Sequence, residues 1–185
     1  DKKTAGGRCR VPFHLPNISR PQDRYNIVVD NSNTPFEHRG LQKTEDGSKY
    51  VHPLEAELNK LEFAGEAPAP VEPNALESTP FKFIEKVQDL KEMVIKLQSA
   101  SEIAVDLEHN QYRSYQGLTC LMQISTRLED FVVDTLTLHN HIGPCLKDIF
   151  SNPLIKKVMH GADRDILWLQ CDFGIYVCNL FDTGQ

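Results

Sequence analysis

The sequence predicts an α/β domain built on a sheet of mixed strand direction and preceded by an extended arm. Three observations lead there. Nine of the 11 prolines precede Phe81, so the first part cannot sustain long regular elements. Beyond Phe81, β-rich runs alternate with segments whose apolar residues recur at helical spacing, the pattern of an α/β layer. Two of those runs are separated only by a polar turn and read as a hairpin, so the sheet cannot be wholly parallel.

Residues 1–80 form the expected arm, which is Pro-rich and acts as a linker. Arg20-Pro21, Asn31-Ser32-Asn33-Thr34-Pro35 and Ala67-Pro68-Ala69-Pro70 each disfavour helix just before a proline. Its apolar residues come in small groups, at 27–29, Phe36 and 50–61, which suit docking onto a neighbouring surface. Pro53, followed by Leu54, Leu58 and Leu61, predicts one short helix.

Residues 81–185 carry the domain. A strand is expected over 81–84, then an amphipathic helix through Val87, Leu90, Val94 and Leu97. The apolar run 103–107 is a strand bearing Asp106, with Glu108 just beyond it. The hairpin is expected at 120–124 and 131–133, a helix over 142–150 and a buried strand over 155–159. A helix over 162–171 and a strand over 175–180 complete the series. The adjacent Lys156-Lys157 pair reads as edge protection for its strand.

Composition narrows the function classes. Twenty basic against 26 acidic residues leave a formal charge of -6, so no broad basic surface is available to capture nucleic acid at long range. The five cysteines, Cys9, Cys120, Cys145, Cys171 and Cys178, include no C-x-x-C pair and predict neither disulfides nor zinc. No apolar run is long enough for a membrane span, and none is expected. The absence of an initiator Met suggests a piece of a longer protein.

Asp106 and Glu108, at i and i+2 on a strand, project from the same face roughly 7 Å apart. Two carboxylates closing an apolar strand repel each other, and a divalent cation is their natural partner. A D-x-E triplet alone also describes acids that simply face water. A second stretch, 160–170, follows a buried strand and opens a helix, at the sheet end where α/β folds bind ligands. Asp163 there suits the helix dipole and a cap, and Asp165 suits a metal.

Asp106-Leu107-Glu108-His109, the run from Tyr112 to Arg127 and the run from His160 to Gln170 together resemble the RNase D-like 3′→5′ exoribonucleases of the DEDD superfamily. Within it they are most similar to the branch associated with the nuclear exosome. The resemblance covers 81–185 and extends weakly to 30–36 and His52-Pro53. It implies an RNase H-like mixed sheet flanked by helices, two Mg²⁺ or Mn²⁺ ions, single-stranded RNA 3′ ends as substrate, exosome subunits as partners, and a nuclear, nucleolar location. Asp106, Glu108 and Asp165 match catalytic metal ligands. The third motif, an Asp with a water-orienting Tyr, has no counterpart up to Gln185. Asp182 reads as an N-cap rather than a substitute ligand, and the 185 residues alone are expected to be incomplete and inactive.

Trp168, one helical turn beyond Asp165, could stack a terminal base or pack in the core. His109 could contact the terminal sugar or a phosphate, where a 2′-hydroxyl contact would favour RNA. Arg113, Arg127 and Arg164 are candidates for phosphate contact, and His160 for a structural hydrogen bond. The expected function is two-metal phosphodiester hydrolysis releasing nucleoside 5′-monophosphates in nuclear RNA processing. The alternative is a non-catalytic RNA- or exosome-binding module of the same fold.

Overall fold

The computed structural model describes residues 17–39, 42–61, 69–111 and 114–185, so Cys9 and Arg113 lie outside the described residues. In the arm, Pro21 opens the helix α1 (Pro21–Tyr25), where its missing N–H costs nothing. Only loop is expected there from sequence, because a proline that stops one helix can also start another. A small antiparallel pair follows, β1 (Gln42–Lys43) with β2 (Tyr50–Val51). Then comes the single-turn helix α2 (Glu55–Leu58), where a helix is expected. Of the apolar groups, Ile27 is buried, and Leu54 packs with Tyr176 and Cys178. Val28 and Tyr50 stay exposed, so the arm's apolar groups anchor it at Ile27 and Leu54 rather than along their whole length.

The remainder runs β3 (Phe81–Ile84), α3 (Val87–Gln98), β4 (Glu102–Asn110), β5 (Leu118–Ser125), β6 (Asp130–Asp134), α4 (His139–Ser151), β7 (Lys156–Met159), α5 (Asp163–Phe173) and β8 (Leu180–Asp182). The six strands lie in the order β3-β6-β5-β4-β7-β8. β5 runs antiparallel to both its neighbours, while every other pairing is parallel, which is the mixed sheet the hairpin predicts. The three parallel crossovers, through α3, α4 and α5, all step in one direction along that order. Right-handed crossovers of one direction put their helices on one face. The core accordingly joins alternate sheet residues, Ile103, Val105, Leu107, Met122 and Ile124, to Leu90, Leu97, Ile142, Leu146 and Leu169. The opposite face carries Asp106 and Glu108 and leaves Phe83 and Phe181 exposed.

Two expectations are corrected. Residues 175–178 are not a strand: Ile175, Tyr176 and Cys178 are buried as an irregular connection, and the Cys178 N–H donates to the Phe150 carbonyl. Asn179, at φ 54°, then turns the chain into β8. The apolar composition of this stretch predicts a strand because a buried connection and a buried strand share it. The lysine pair does not guard an edge either, since β7 lies between β4 and β8. Alternation along β7 sends Lys156 outward and Lys157 inward, where it is fully buried. Its ammonium donates to the Ile155 carbonyl at 2.6 Å, to Asn152 at 2.7 Å and more loosely to Ile149 at 3.5 Å. The Ile149 and Asn152 carbonyls sit at the C-terminal end of α4, where the helix lacks donors and its dipole is negative, and the Ile155 carbonyl lies in the turn that leads into β7.

Lys157→Met is therefore expected to destabilise the domain by about 2–4 kcal/mol in urea unfolding, because it leaves buried carbonyls without donors. Burial pushes the Lys157 ammonium down from 10.5 to about 8. The unfolded chain thus holds this proton more firmly, and the contribution of this group makes stability rise between about pH 8 and pH 10.5. Subtracting the profile of Lys157→Met from that of the parent should leave that rise. A flat difference across this window would contradict the assignment.

Candidate active site

The site begins where β4 outruns its neighbour. β4 pairs with β7 only at Glu102, Ile103 and Ala104, so its edge beyond Ala104 is free on that side. The first turns of α5 occupy that edge. Asp165, buried on α5, takes a hydrogen bond from the Leu107 backbone. Burial first, and then the nearby Asp106 charge, push the Asp165 carboxyl above the usual carboxylate range. Asp106 and Glu108 stand on the bare face of the same strand. Asp106 also lines a hollow of about 250 Å³ with Gln123, Ser125, His160 and Thr183.

One turn further along α5, the indole of Trp168 lies parallel to the His109 ring at 4.3 Å between centroids. The spacing matches on both elements: Asp165 sits beside Leu107, and Trp168 beside His109. A register shift between Glu108 and His109 makes Cys120 an extra residue of β5 and re-aims the end of β4. Burial holds the His109 imidazole below its ordinary pKa, against an opposing pull from Asp172, and its Nε2 is buried without a hydrogen-bond partner. His109 and Trp168 line a cavity of about 430 Å³ with Gln111 and Arg164. A cavity of about 510 Å³ lies elsewhere, between the arm and the domain, and holds none of the three candidate ligands.

The other predicted residues separate. Asp163 is the first residue of α5 but makes no capping bond there. The turn ahead of α5 is held instead by Asp182, whose carboxylate accepts the Gly161 and Ala162 N–H groups, each at 2.8 Å, together with that of Gly184. These bonds hold the Asp182 carboxyl below the ordinary range. His160 shares a hydrogen bond with the Thr183 hydroxyl. Arg127 is paired with Glu102 at the surface, whereas Arg164 stays beside Trp168. Sequence reasoning missed Asp172, which is buried and accepts the Thr119 N–H at 2.8 Å. Its spacing of seven from Asp165, two turns on one helix face, was the available signal. Gly117 was missed as well, because its role depends on pairing register.

Among the described residues, no group of three or more His, Cys, Asp or Glu side chains is gathered closely enough to hold a metal ion. The donor set nevertheless suits a hard cation: two carboxylates on the far half of β4 and a third on α5, none of them in an ion pair among the described residues.

A mixed sheet whose central strand carries two carboxylates, with a third on the adjoining helix, is the arrangement expected of an RNase D-like exonuclease domain. Residues 81–185 match the family model described as 3'-5' exonuclease, and the chain belongs to that family. It is 61% identical to "Protein RRP6-like 2" of Arabidopsis thaliana, across 99% of this chain and 21% of that protein. It is 39% identical to human "Exosome complex component 10", across 94% of this chain and 24% of that protein. Among solved structures, the catalytic core of RRP6 from Trypanosoma brucei superposes with a TM-score of 0.77 at 40% identity, covering 90% of this chain and 48% of that one. The chain thus spans about a fifth to a quarter of the length of these curated relatives.

Proposed function

We propose that this chain is the arm, 1–80, and the first part of the catalytic domain, 81–185, of a 3′→5′ exoribonuclease that releases nucleoside 5′-monophosphates from single-stranded RNA. The observation that carries the reading is the buried carboxyl of Asp165, set against Asp106 of the central strand. Burial and a like charge both disfavour its ionised form, and a cation held by these carboxylates would offset both costs.

Asp106, Glu108 and Asp165 would hold two Mg²⁺ or Mn²⁺ ions. When bound, such ions supply activation of the attacking water and charge neutralisation at the leaving 3′-oxygen. The remaining work falls to the chain's own side chains. Trp168 and His109 offer the terminal nucleotide an aromatic platform, and Arg164 a guanidinium for a phosphate. We further propose RNA 3′ ends and nuclear exosome subunits as partners and the nucleus, with the nucleolus, as the compartment; the name of the human relative supports the exosome. The dispersal of the carboxylates favours one second reading, a non-catalytic RNA- or exosome-binding module, whose RNA affinity would not depend on metal.

The test compares a longer protein carrying this chain with the 185 residues alone. The longer protein should release mononucleotides from RNA ending in a 3′-hydroxyl, with Mg²⁺ and not with EDTA. The 185 residues alone should release none, since they carry three of the four carboxylates implied by the resemblance. Metal-independent release would refute the two-metal reading. Trimming by the 185 residues that is lost on Asp165→Asn would show that another group, Asp182 foremost, completes the site.

A further inference from the structure

We infer that Asn31 and Asp30 of the arm are positioning residues that fix the His109–Trp168 stack by clamping residues 114–117 against His109. The two segments exchange hydrogen bonds reciprocally. The Tyr115 N–H donates to Asn31 Oδ1 at 3.0 Å, and the Asp30 N–H donates to Gln116 Oε1 at 3.1 Å. Each segment thus gives one backbone donor and one side-chain acceptor, a pairing that fixes orientation as well as distance.

Both sides of the clamp are themselves held. In the arm, the Asp30 carboxylate accepts the Ser32 N–H at 2.7 Å, and the Ser32 hydroxyl donates to Thr34. Ile27 is buried upstream of this turn, and His38 meets the Tyr176 hydroxyl at 3.0 Å downstream. Across from it, the Gly117 N–H donates to the Ser114 hydroxyl at 2.9 Å, and the Thr119 N–H to Asp172. The turn is therefore tied to the domain on both sides, and the segment it grips enters β5 at Leu118.

The clamp reaches the site through Gly117. A Cβ on that residue would lie 2.1 Å from His109 Cε1 and 2.9 Å from Nε2, so its backbone closes on the edge of the imidazole. The indole of Trp168 covers the face of the same ring. An unbroken set of contacts therefore runs from Asn31 through residues 114–117 and His109 to Trp168. Loosening its first link frees the ring at its last.

Trp168 is the only tryptophan, so its fluorescence reports this stack with no ligand present. In the 185-residue chain, Asn31→Ala should shift Trp168 emission to the red and remove part of its protection from acrylamide, with the far-ultraviolet circular dichroism unchanged. Asn31→Asp keeps the Oδ1 acceptor and should restore both signals. Asn33→Ala, two residues along in the exposed arm, should leave them as in the parent. Should Asn31→Ala fail to fold, the pair Gln116→Ala and Gln116→Glu reads the opposite side of the clamp in the same way. Unchanged emission and quenching in folded Asn31→Ala, or in folded Gln116→Ala, overturn the inference. Its importance for RNA rests on the function proposed above. In a longer protein, Asn31→Ala should raise KM for RNA by about fivefold, the effect of one lost hydrogen bond, and leave kcat unchanged. If the parent neither binds nor cleaves RNA, that function fails while the fluorescence result stands.

Discussion

Asp106→Asn, in a longer protein that carries this chain, is expected to cut Mg²⁺-dependent release of nucleotides from RNA by more than about 100-fold, beyond the range seen when only an outer partner of a metal site is lost. The substitution keeps the side-chain volume and removes the charge. Asp106 stands on the bare face of β4 with no ion pair among the described residues, so the fold should be unaffected within about 0.5 kcal/mol. It also removes the charge that, after burial, does most to push the Asp165 carboxyl upward. The variant should therefore hold Asp165 ionised more readily and still be inactive, which separates loss of a ligand from a shifted neighbour. Asp163→Asn, an exposed change in the same acidic neighbourhood, is the control and should retain activity. Equal activity of the two variants, with the fold confirmed by circular dichroism, removes Asp106 from the metal site.

The difference between these two acidic positions shows how far the sequence could be read. Asp106 and Glu108 were legible because strand alternation is a local rule: every second residue shares a face whatever the strand pairs with. Asp165 was legible as a residue near a helix start following a buried strand, but its side chain finds Leu107 only because β7 stops pairing at Ala104. Where a strand's partner ends is a property of two segments and leaves no mark in either. The same limit hid the role of Asp182. Asp163 has the right position for a cap and makes no capping bond, whereas Asp182 holds the turn ahead of α5 from the strand β8. Lys157 shows the rule failing in the other direction, since alternation correctly sends it inward while charge argues for solvent, and the Asn152 and Ile155 carbonyls reconcile the two. Charge was the weaker guide because a lysine needs donors' partners more than it needs bulk water.

Gly117→Ala is expected to have the second largest effect, and by a route different from loss of a ligand. Gly117 sits at φ +76°, a conformation that side-chain-bearing residues adopt at a cost of about 1–3 kcal/mol. The added methyl would also fall 2.1 Å from His109 Cε1 and 2.9 Å from Gln111 Cγ, so the imidazole must leave its place on Trp168. Strain and displacement are separable, because Gly47 has nearly the same backbone, φ +68°, with nothing within 4 Å of where its methyl would lie. Gly47→Ala should therefore lower stability without touching Trp168 fluorescence or RNA affinity. Gly117→Ala should lower stability, expose Trp168 to quencher and weaken binding of an RNA 3′ end by about 10-fold or more, the worth of one stacked base. Binding is to be compared at a temperature where both variants are fully folded, so that stability does not pass for affinity. If the two alanine variants lose stability alike and bind RNA alike, the His109–Trp168 pair is core packing and the terminal base rests elsewhere.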